Sequence, residues 1–314
     1  MGTLLPGSLA MDNAPRPPAP IQTLPPEIMA EIFVNFLPPY PQFPPLAGLL
    51  SPLLLCQQWR AIALSTPTLW SAIRLADESE EEAVHQFEVM TTWLARSGRS
   101  PLSLGLSGGR HARFRPDLLQ AIWPHRRDAM RHITLLLNGF YRRATTKWPR
   151  SIFEHAPLLI SVVLGASFMV DYMQLPWGNI THLDARCFYE HECTDVLRAA
   201  TNLVYCKLNI IQDKTSMVAE SVPVHLHLRD LILCKDHNVW QWGPLDNLTL
   251  PALRTLQIPQ PNTQLNSHRA FLLRSQCTLE ELRITGATST EGVFREVLPP
   301  AGTIKIEPRG TWFI

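Results

Sequence analysis

The chain has 314 residues, of which 46% are hydrophobic and 18% are charged, and its formal net charge is +1. This apolar content suffices for a sizeable core, and the near-neutral charge argues against nucleic-acid binding, which needs a basic surface. No apolar run has membrane-spanning length, no basic region of a signal peptide is present, and 28 dispersed prolines predict many short elements.

Residues 1–20 are rich in Pro, Ala and Gly, which predicts a disordered segment. Two short helical patterns follow. The first, LPPEIMAEIFVNFL, opens with two prolines that suit a first helical turn, and its apolar residues then recur at every fourth position in two rows. One row is Ile28, Ile32 and Phe36, and the other is Met29, Phe33 and Leu37. The second pattern, LLLCQQWRAIALSTPTLW, places Leu55, Trp59 and Ile62 on one side of a helix.

Helices this short cannot bury so much apolar surface against each other, because about fifty residues make only a marginal core. Two interpretations therefore stay open. Either a partner protein covers the remaining apolar face, or the rest of this chain does.

The spacing of these residues resembles the F-box motif, in which Leu-Pro-x-Glu-Ile and an Ile-Phe pair precede apolar-Cys-x-x-Trp-Arg and Pro-x-Leu-Trp. The matching residues here are Leu24, Pro25, Glu27, Ile28, Ile32, Phe33, Leu37, Leu55, Cys56, Trp59, Arg60, Leu69 and Trp70. The chain is similar, more narrowly, to fungal F-box-like proteins with a degenerate leucine-rich tail. It departs from their pattern in a Pro-rich insert at 38–45. The resemblance implies a three-helix F-box-like module over residues 21–75.

Residues 78–97 carry glutamates at their start, with Arg96 and Gly98 at the other end, which predicts an amphipathic helix. From Met130 onward, a template of apolar-x-x-apolar-x-apolar recurs seven times, with intervals of 21 to 29 residues between the starts, as in leucine-rich repeats. The seven triplets are Met130/Ile133/Leu135, Leu159/Val162/Leu164, Ile180/Leu183/Ala185, Leu203/Cys206/Leu208, Leu228/Leu231/Leu233, Leu253/Leu256/Ile258 and Leu279/Leu282/Ile284.

We therefore predict an α+β fold in which the N-terminal three-helix F-box-like module is followed by a degenerate leucine-rich-repeat α/β solenoid over residues 76–314. The segments 151–155, 194–200 and 267–275 are expected to be return helices, whereas 236–247 is expected to be a loop.

Side chains alternate along each predicted strand, so one set points into the core and the other faces outward. The outward set mixes charges with hydrogen-bonding groups, which is typical of a face that binds a target protein, although a merely solvated face stays open. Its members are His182, Asp184, Arg186, Tyr205, Lys207, Asn209, Asp230, Ile232, Thr255, Gln257, Glu281 and Arg283.

The resemblance also implies a function: substrate recruitment to an SCF-type cullin–RING ubiquitin ligase in the cytoplasm, the nucleus or both. The residues that match the family's docking positions on the Skp-family adaptor are Leu24, Pro25, Ile28, Ile32, Phe33, Leu37, Leu55, Cys56, Trp59 and Leu69. Such a protein does no bond chemistry, needs no cofactor, and binds an unknown protein substrate rather than nucleic acid or membrane. The alternative is a ligase-independent protein-binding solenoid whose helical module is only a cap.

Two sequence patterns could instead indicate catalysis or metal binding. Gly105-Leu-Ser107-Gly-Gly109 fits the string of a hydrolase nucleophile elbow, but no helix pattern begins at once after it, so a serine hydrolase is a remote alternative. His182, Cys187, His191 and Cys193 lack a second pair at zinc-ribbon spacing, and no metal is predicted. The six cysteines are expected to be reduced.

Overall fold

The computed structural model describes residues 23–37, 56–77, 80–108, 126–137, 153, 155–165, 174–211, 224–235, 245, 248–259, 265–286, 292, 294–295 and 302–307. The α-helices in these ranges are α1 (Pro26–Asn35), α2 (Gln57–Leu64), α3 (Glu80–Arg96), α4 (Glu190–Ala199) and α5 (Leu265–Ser275). The strands are β1 (Ala72–Asp77), β2 (Leu102–Gly108), β3 (Met130–Leu137), β4 (Ser161–Leu164), β5 (His182–Tyr189), β6 (Tyr205–Ile211), β7 (Asp230–Lys235), β8 (Thr255–Pro259), β9 (Glu281–Thr285) and β10 (Thr303–Glu307).

The ten strands form one sheet in which every pair is parallel and the spatial order follows the sequence from β1 to β10. A repeated backbone arrangement sets the register where the strands begin. The carbonyl oxygen of Thr181 accepts hydrogen bonds from the N–H groups of Val204 and Tyr205 at 2.8 and 3.0 Å, and the carbonyls of Ile160, Val204, Arg229 and Arg254 accept two each in the same way. Each strand from β5 to β9 is thereby aligned on the one before it.

The core lies on one face of this sheet. The seven apolar triplets of the sequence supply much of it, and none of their side chains is more than 7% exposed. The same cluster of buried residues continues through the helices, from Met29 on α1 to Ile304 on β10. Burial of this kind is the main favourable term in folding, at about 25 cal/mol per Å² of apolar surface.

The predicted fold class is wrong. The fold is α/β, with one all-parallel sheet and helices between some of its strands, rather than α+β. The first helices do not form a three-helix module, because the third helical segment, Pro67–Trp70, is a single 3₁₀ turn and α1 and α2 share one core with the sheet.

The sheet is not a leucine-rich solenoid either. A solenoid repeats one return element, whereas a 17-residue helix follows β1 and the described part of the connection before β5 contains only a 3₁₀ turn, Trp177–Asn179. Apolar spacing within a strand shows which side chains are buried and not how the chain returns, so it fits any buried parallel strand. The division at residues 20 and 75 stays a prediction.

All five described helices occur close to where helices were predicted, with α1 and α2 inside the two N-terminal helical patterns. α3 lies within 78–97 and is followed by Gly98 at φ +54°, the left-handed conformation that commonly ends a helix at glycine. α4 and α5 begin a few residues earlier than expected. Of 151–155 only Phe153 and His155 are described, both in turns, and of 236–247 only Leu245 is described. None of the described helices combines the length and the apolar character that crossing a bilayer requires.

Candidate protein-binding surfaces

The two apolar rows of α1 have different environments. The inner row, Met29, Phe33 and Leu37, packs on the core, with Met29 and Phe33 only 1% and 5% exposed. The outer row is Ile28, Ile32 and Phe36. Ile28 is 49% exposed, Phe36 is 86% exposed, and Ile32 is partly buried against the core. The helix therefore presents two large apolar side chains to solvent, one turn to either side of Ile32.

The inner row is held by α2. The Phe33 ring lies 5.3 Å from the Trp59 ring, centroid to centroid, with their planes tilted at 58°. Trp59 is oriented by the start of its own helix, where the Sγ atom of Cys56 accepts a hydrogen bond from the Trp59 backbone N–H at 3.4 Å. Aromatic pairs with this separation stabilise by about 1 kcal/mol beyond their burial. α1 is thus fixed on its inner side, with the outer row left in place on a rigid support.

Trp70 joins the helices to the sheet. Its indole Nε1–H donates a 2.8 Å hydrogen bond to the carbonyl oxygen of Ala63 at the end of α2. Its ring stands edge-on to Trp93 of α3 at 4.7 Å, and the Arg96 guanidinium lies 4.5 Å above it.

The predicted adaptor-binding residues divide by exposure. Pro25 and Ile28 are exposed, whereas Leu24, Ile32, Leu37, Cys56 and Trp59 are partly exposed and Phe33 and Leu69 are buried. Leu55 lies outside the described residues. Phe36 belongs to the outer row by the same four-residue spacing, but it was not among the residues predicted to contact the adaptor. The adaptor-binding role of the predicted residues stays a prediction.

The face of the sheet opposite the core carries two continuous rows of side chains, because the strands are in register. We call this surface the polar face. Its first row is Ala72, Ser103, His132, Ser161, His182, Tyr205, Asp230, Thr255, Glu281 and Thr303. The second row is Arg74, Gly105, Thr134, Val163, Asp184, Lys207, Ile232, Gln257, Arg283 and Lys305. Small side chains predominate over β1–β4, and long polar ones over β5–β9.

Most cations of the polar face are already paired. Lys207 Nζ lies 3.3 Å from Asp184 Oδ2 on the neighbouring strand. Arg283 Nε and Lys305 Nζ lie 2.6 and 2.8 Å from the same Glu281 oxygen. Hydrogen bonds from these two cations lower the pKa of Glu281 from 4.5 to about 2. The face therefore offers mixed, largely neutralised charge.

A histidine–tyrosine stack lies at the centre of the first row. The rings of His182 and Tyr205 are 6.1 Å apart and inclined by 20°. Thr181 Oγ1 lies 3.2 Å from the carbonyl oxygen of Ile160 and shares a 2.8 Å hydrogen bond with His182 Nδ1, which fixes the position of the imidazole ring. Burial, and then the charge of Asp184, raises the pKa of Tyr205 to about 12. Tyr205 thus remains a neutral hydrogen-bonding phenol.

Nine of the residues predicted to contact a target protein lie in these two rows. They are His182, Asp184, Tyr205, Lys207, Asp230, Thr255, Gln257, Glu281 and Arg283. Arg186 lies at an irregularity of the β5–β6 register, and Asn209 pairs with Cys234 one step beyond the second row. His132 and Lys305 were missed. The alternation that found the others extends to His132, because it lies between Met130 and Ile133 of the first triplet.

The described side chains considered as a catalytic nucleophile or as metal ligands do not form a site. Ser107 lies within β2, where its Oγ is 3.3 Å from Arg74 Nε, and not at a turn between a strand and a helix. His182 is on the polar face, whereas His191 stacks on Tyr189 at 5.6 Å and Cys193 is buried in α4. No group of three or more metal-ligand side chains occurs among the described residues. The five cysteines whose side chains are described form no disulfide with one another.

Comparison of the sequence with models of protein families, and with curated proteins, finds no match.

Proposed function

We propose that this protein recruits substrates to an SCF-type cullin–RING ubiquitin ligase in the cytoplasm, the nucleus or both. In this proposal the outer row of α1 binds a Skp-family adaptor, and the polar face holds a target protein near the ubiquitin-loaded enzyme. The protein contributes proximity, because holding two reactants together replaces a bimolecular encounter with a local one.

The exposure of the outer row carries this proposal. Ile28 and Phe36 are 49% and 86% exposed, whereas Met29 and Phe33 of the inner row are buried. Interfaces are dominated by a few apolar anchors at the centre of about 1,600 Å² of buried surface. The F-box-like spacing of the first helices supports the choice of partner, because the outer row includes Ile28 and Ile32, both of which match that motif.

The test is a pull-down of the full chain with a purified Skp-family adaptor. We expect Ile28→Asp or Ile32→Asp to abolish adaptor binding, because a carboxylate placed in an apolar interface would be desolvated without a partner. Leu273→Asp on α5 is the matched control for Ile28→Asp, since Leu273 is also half exposed, at 58%. Retention of the adaptor by both α1 variants would reject the proposal.

One observation favours a second function, binding of proteins without a ligase. α1, α2 and Trp70 share one core with β1, the first strand of the sheet, as a helical cap would. An exposed edge strand invites pairing with other chains, and covering it is a common solution. Co-purification of adaptor and cullin with the tagged protein separates the two functions, since a helical cap alone would retain neither.

A further inference from the structure

A groove runs along the edge of the sheet at which the strands begin, next to the first row of the polar face and lined by other residues. It consists of two adjoining cavities of about 480 and 690 Å³ that share Pro157 and Asn179. The first reaches Arg127 before β3, and the second reaches Ala252 before β8. We call it the amino-edge groove.

The middle of the amino-edge groove is rigidly built. Asn179 Nδ2 donates to the carbonyl oxygen of Pro157 at 3.4 Å, and Asn202 Nδ2 donates to that of Gly178 at 2.6 Å. The paired backbone hydrogen bonds that align successive strands lie at the same edge. A preformed groove binds more tightly than a mobile one, because less conformational freedom is lost on binding.

Apolar side chains border this groove without being covered. Leu226 lines it and is 62% exposed, while Leu158, which follows the lining residue Pro157, and Val224, two residues before Leu226, are 48% and 52% exposed. These three are half of the six large apolar side chains that are exposed in the described part of the chain. Their gathering at one edge indicates a surface that a partner covers.

The charge of the edge is positive. Two of its arginines are neutralised locally, since Arg127 pairs with Asp128 at 3.6 Å and Arg254 with Glu280 at 2.8 Å. Arg131 and Arg229 are exposed and form no ion pair with a described residue. On the polar face, by contrast, Lys207, Arg283 and Lys305 each have a carboxylate partner. The amino-edge groove is therefore complementary to a ligand that combines negative charge with apolar groups.

The length of the groove suits an extended peptide. Neighbouring strands are about 4.8 Å apart, so the five steps from β3 to β8 span roughly 24 Å, which corresponds to about seven residues in extended conformation. A seven-residue segment is long enough to place an acidic side chain at one position and apolar side chains at others.

We propose that the amino-edge groove binds an extended acidic and apolar peptide segment of a partner protein, with a carboxylate against Arg229 and apolar side chains against Leu226. This binding does not depend on ligase membership. It uses residues that neither α1 nor the polar face supplies.

The experiment begins with an array of immobilised heptapeptides of randomised sequence, probed with the full-length protein. We expect selected peptides to be enriched in Asp or Glu together with Leu, Ile or Phe. The strongest one, labelled with fluorescein, is then titrated by anisotropy. Arg229→Glu and Leu226→Asp are each expected to weaken its affinity at least tenfold.

Matched controls lie on α5, where Arg269→Glu reverses an exposed arginine and Leu273→Asp introduces the same carboxylate. Both should bind within twofold of the parent, and circular dichroism should show all four variants folded. Three results would overturn the proposal: no acidic enrichment, unchanged affinity of both groove variants, or full competition by RNA or inorganic phosphate. A peptide lost from Ile28→Asp but not from Arg229→Glu would likewise place the site on α1. Arg229→Glu should still retain the Skp-family adaptor, which separates this test from that of the proposed function.

Discussion

Apolar side chains differ in burial between α1 and the sheet. Side chains alternate along the strands, so every apolar triplet side chain enters the core and most of the polar ones collect on the other face. α1 has two apolar rows and only one is packed, so Phe36 stays 86% exposed. A strand has two faces that separate apolar from polar side chains, whereas a helix with a wide apolar arc needs cover on more than one side. The outer row of α1 is therefore left uncovered and available for binding.

The largest expected effect tests that contrast directly. Leu231→Ala removes three carbons from a fully buried strand position and should lower the free energy of unfolding by about 3 kcal/mol, because a cavity remains. Ile28→Ala also removes three carbons, from the outer row, and should change the free energy of unfolding by less than about 0.5 kcal/mol. Urea unfolding at pH 7 measures both. Equal losses would mean that the outer row is packed in the free protein.

The polar face should show an acid-sensitive step that α1 lacks. Burial, with the positive charges of Arg131 and His182, lowers the pKa of His132 from 6.5 to about 4. The unfolded chain therefore binds the proton more readily, so stability is complete above pH 6.5 and falls as the pH drops towards 4. We expect a loss of about 2 kcal/mol over this range, absent in His132→Asn. Urea titrations at several pH values measure it, and an equal slope in both proteins would contradict it.

The junction of the two regions can be weakened at Trp70. Trp70→Phe loses the hydrogen bond to the Ala63 carbonyl and part of the packing on Trp93, which should cost about 1.5 kcal/mol of unfolding free energy. Trp59→Phe is the matched control, because the described contacts of Trp59 include no bond from its indole N–H. Thermal denaturation compares the two. If Trp59→Phe proves the more destabilising, Trp70 is not the main link between α2 and the sheet.

The smallest expected effect concerns Glu281. Its pKa is lowered to about 2 by Arg283 and Lys305, so its contribution is full above pH 4.5 and disappears as the pH falls to about 2. Solvent screens this cluster, and the contribution should be about 1 kcal/mol. Glu281→Gln should therefore be less stable than the parent at pH 7 and equal to it near pH 2, as measured by urea unfolding. A constant difference at both pH values would show that packing, not charge, explains the loss.

The strands and their buried side chains were predictable because a buried parallel strand imposes a simple spacing on a local stretch of chain. The burial of Met130, Ile133 and Leu135 was predictable from this spacing alone. Fold class was not predictable in this way, since it depends on how strands are connected and stacked. His132 was missed for a related reason: its place in a row with Ser161 and His182 exists only once three strands pair in register.

The amino-acid order alone determined where apolar side chains recur. It therefore determined which strand positions enter the core and which helix has a second apolar row. It also determined that cations and carboxylates alternate with the buried residues along the strands. Pairing and packing decided the rest. They brought Glu281 between Arg283 and Lys305, turned one row of α1 inward and the other outward, and aligned separate turns into the amino-edge groove. Local spacing acts over a few residues, whereas these arrangements join residues tens of positions apart, and only the folded chain brings those together.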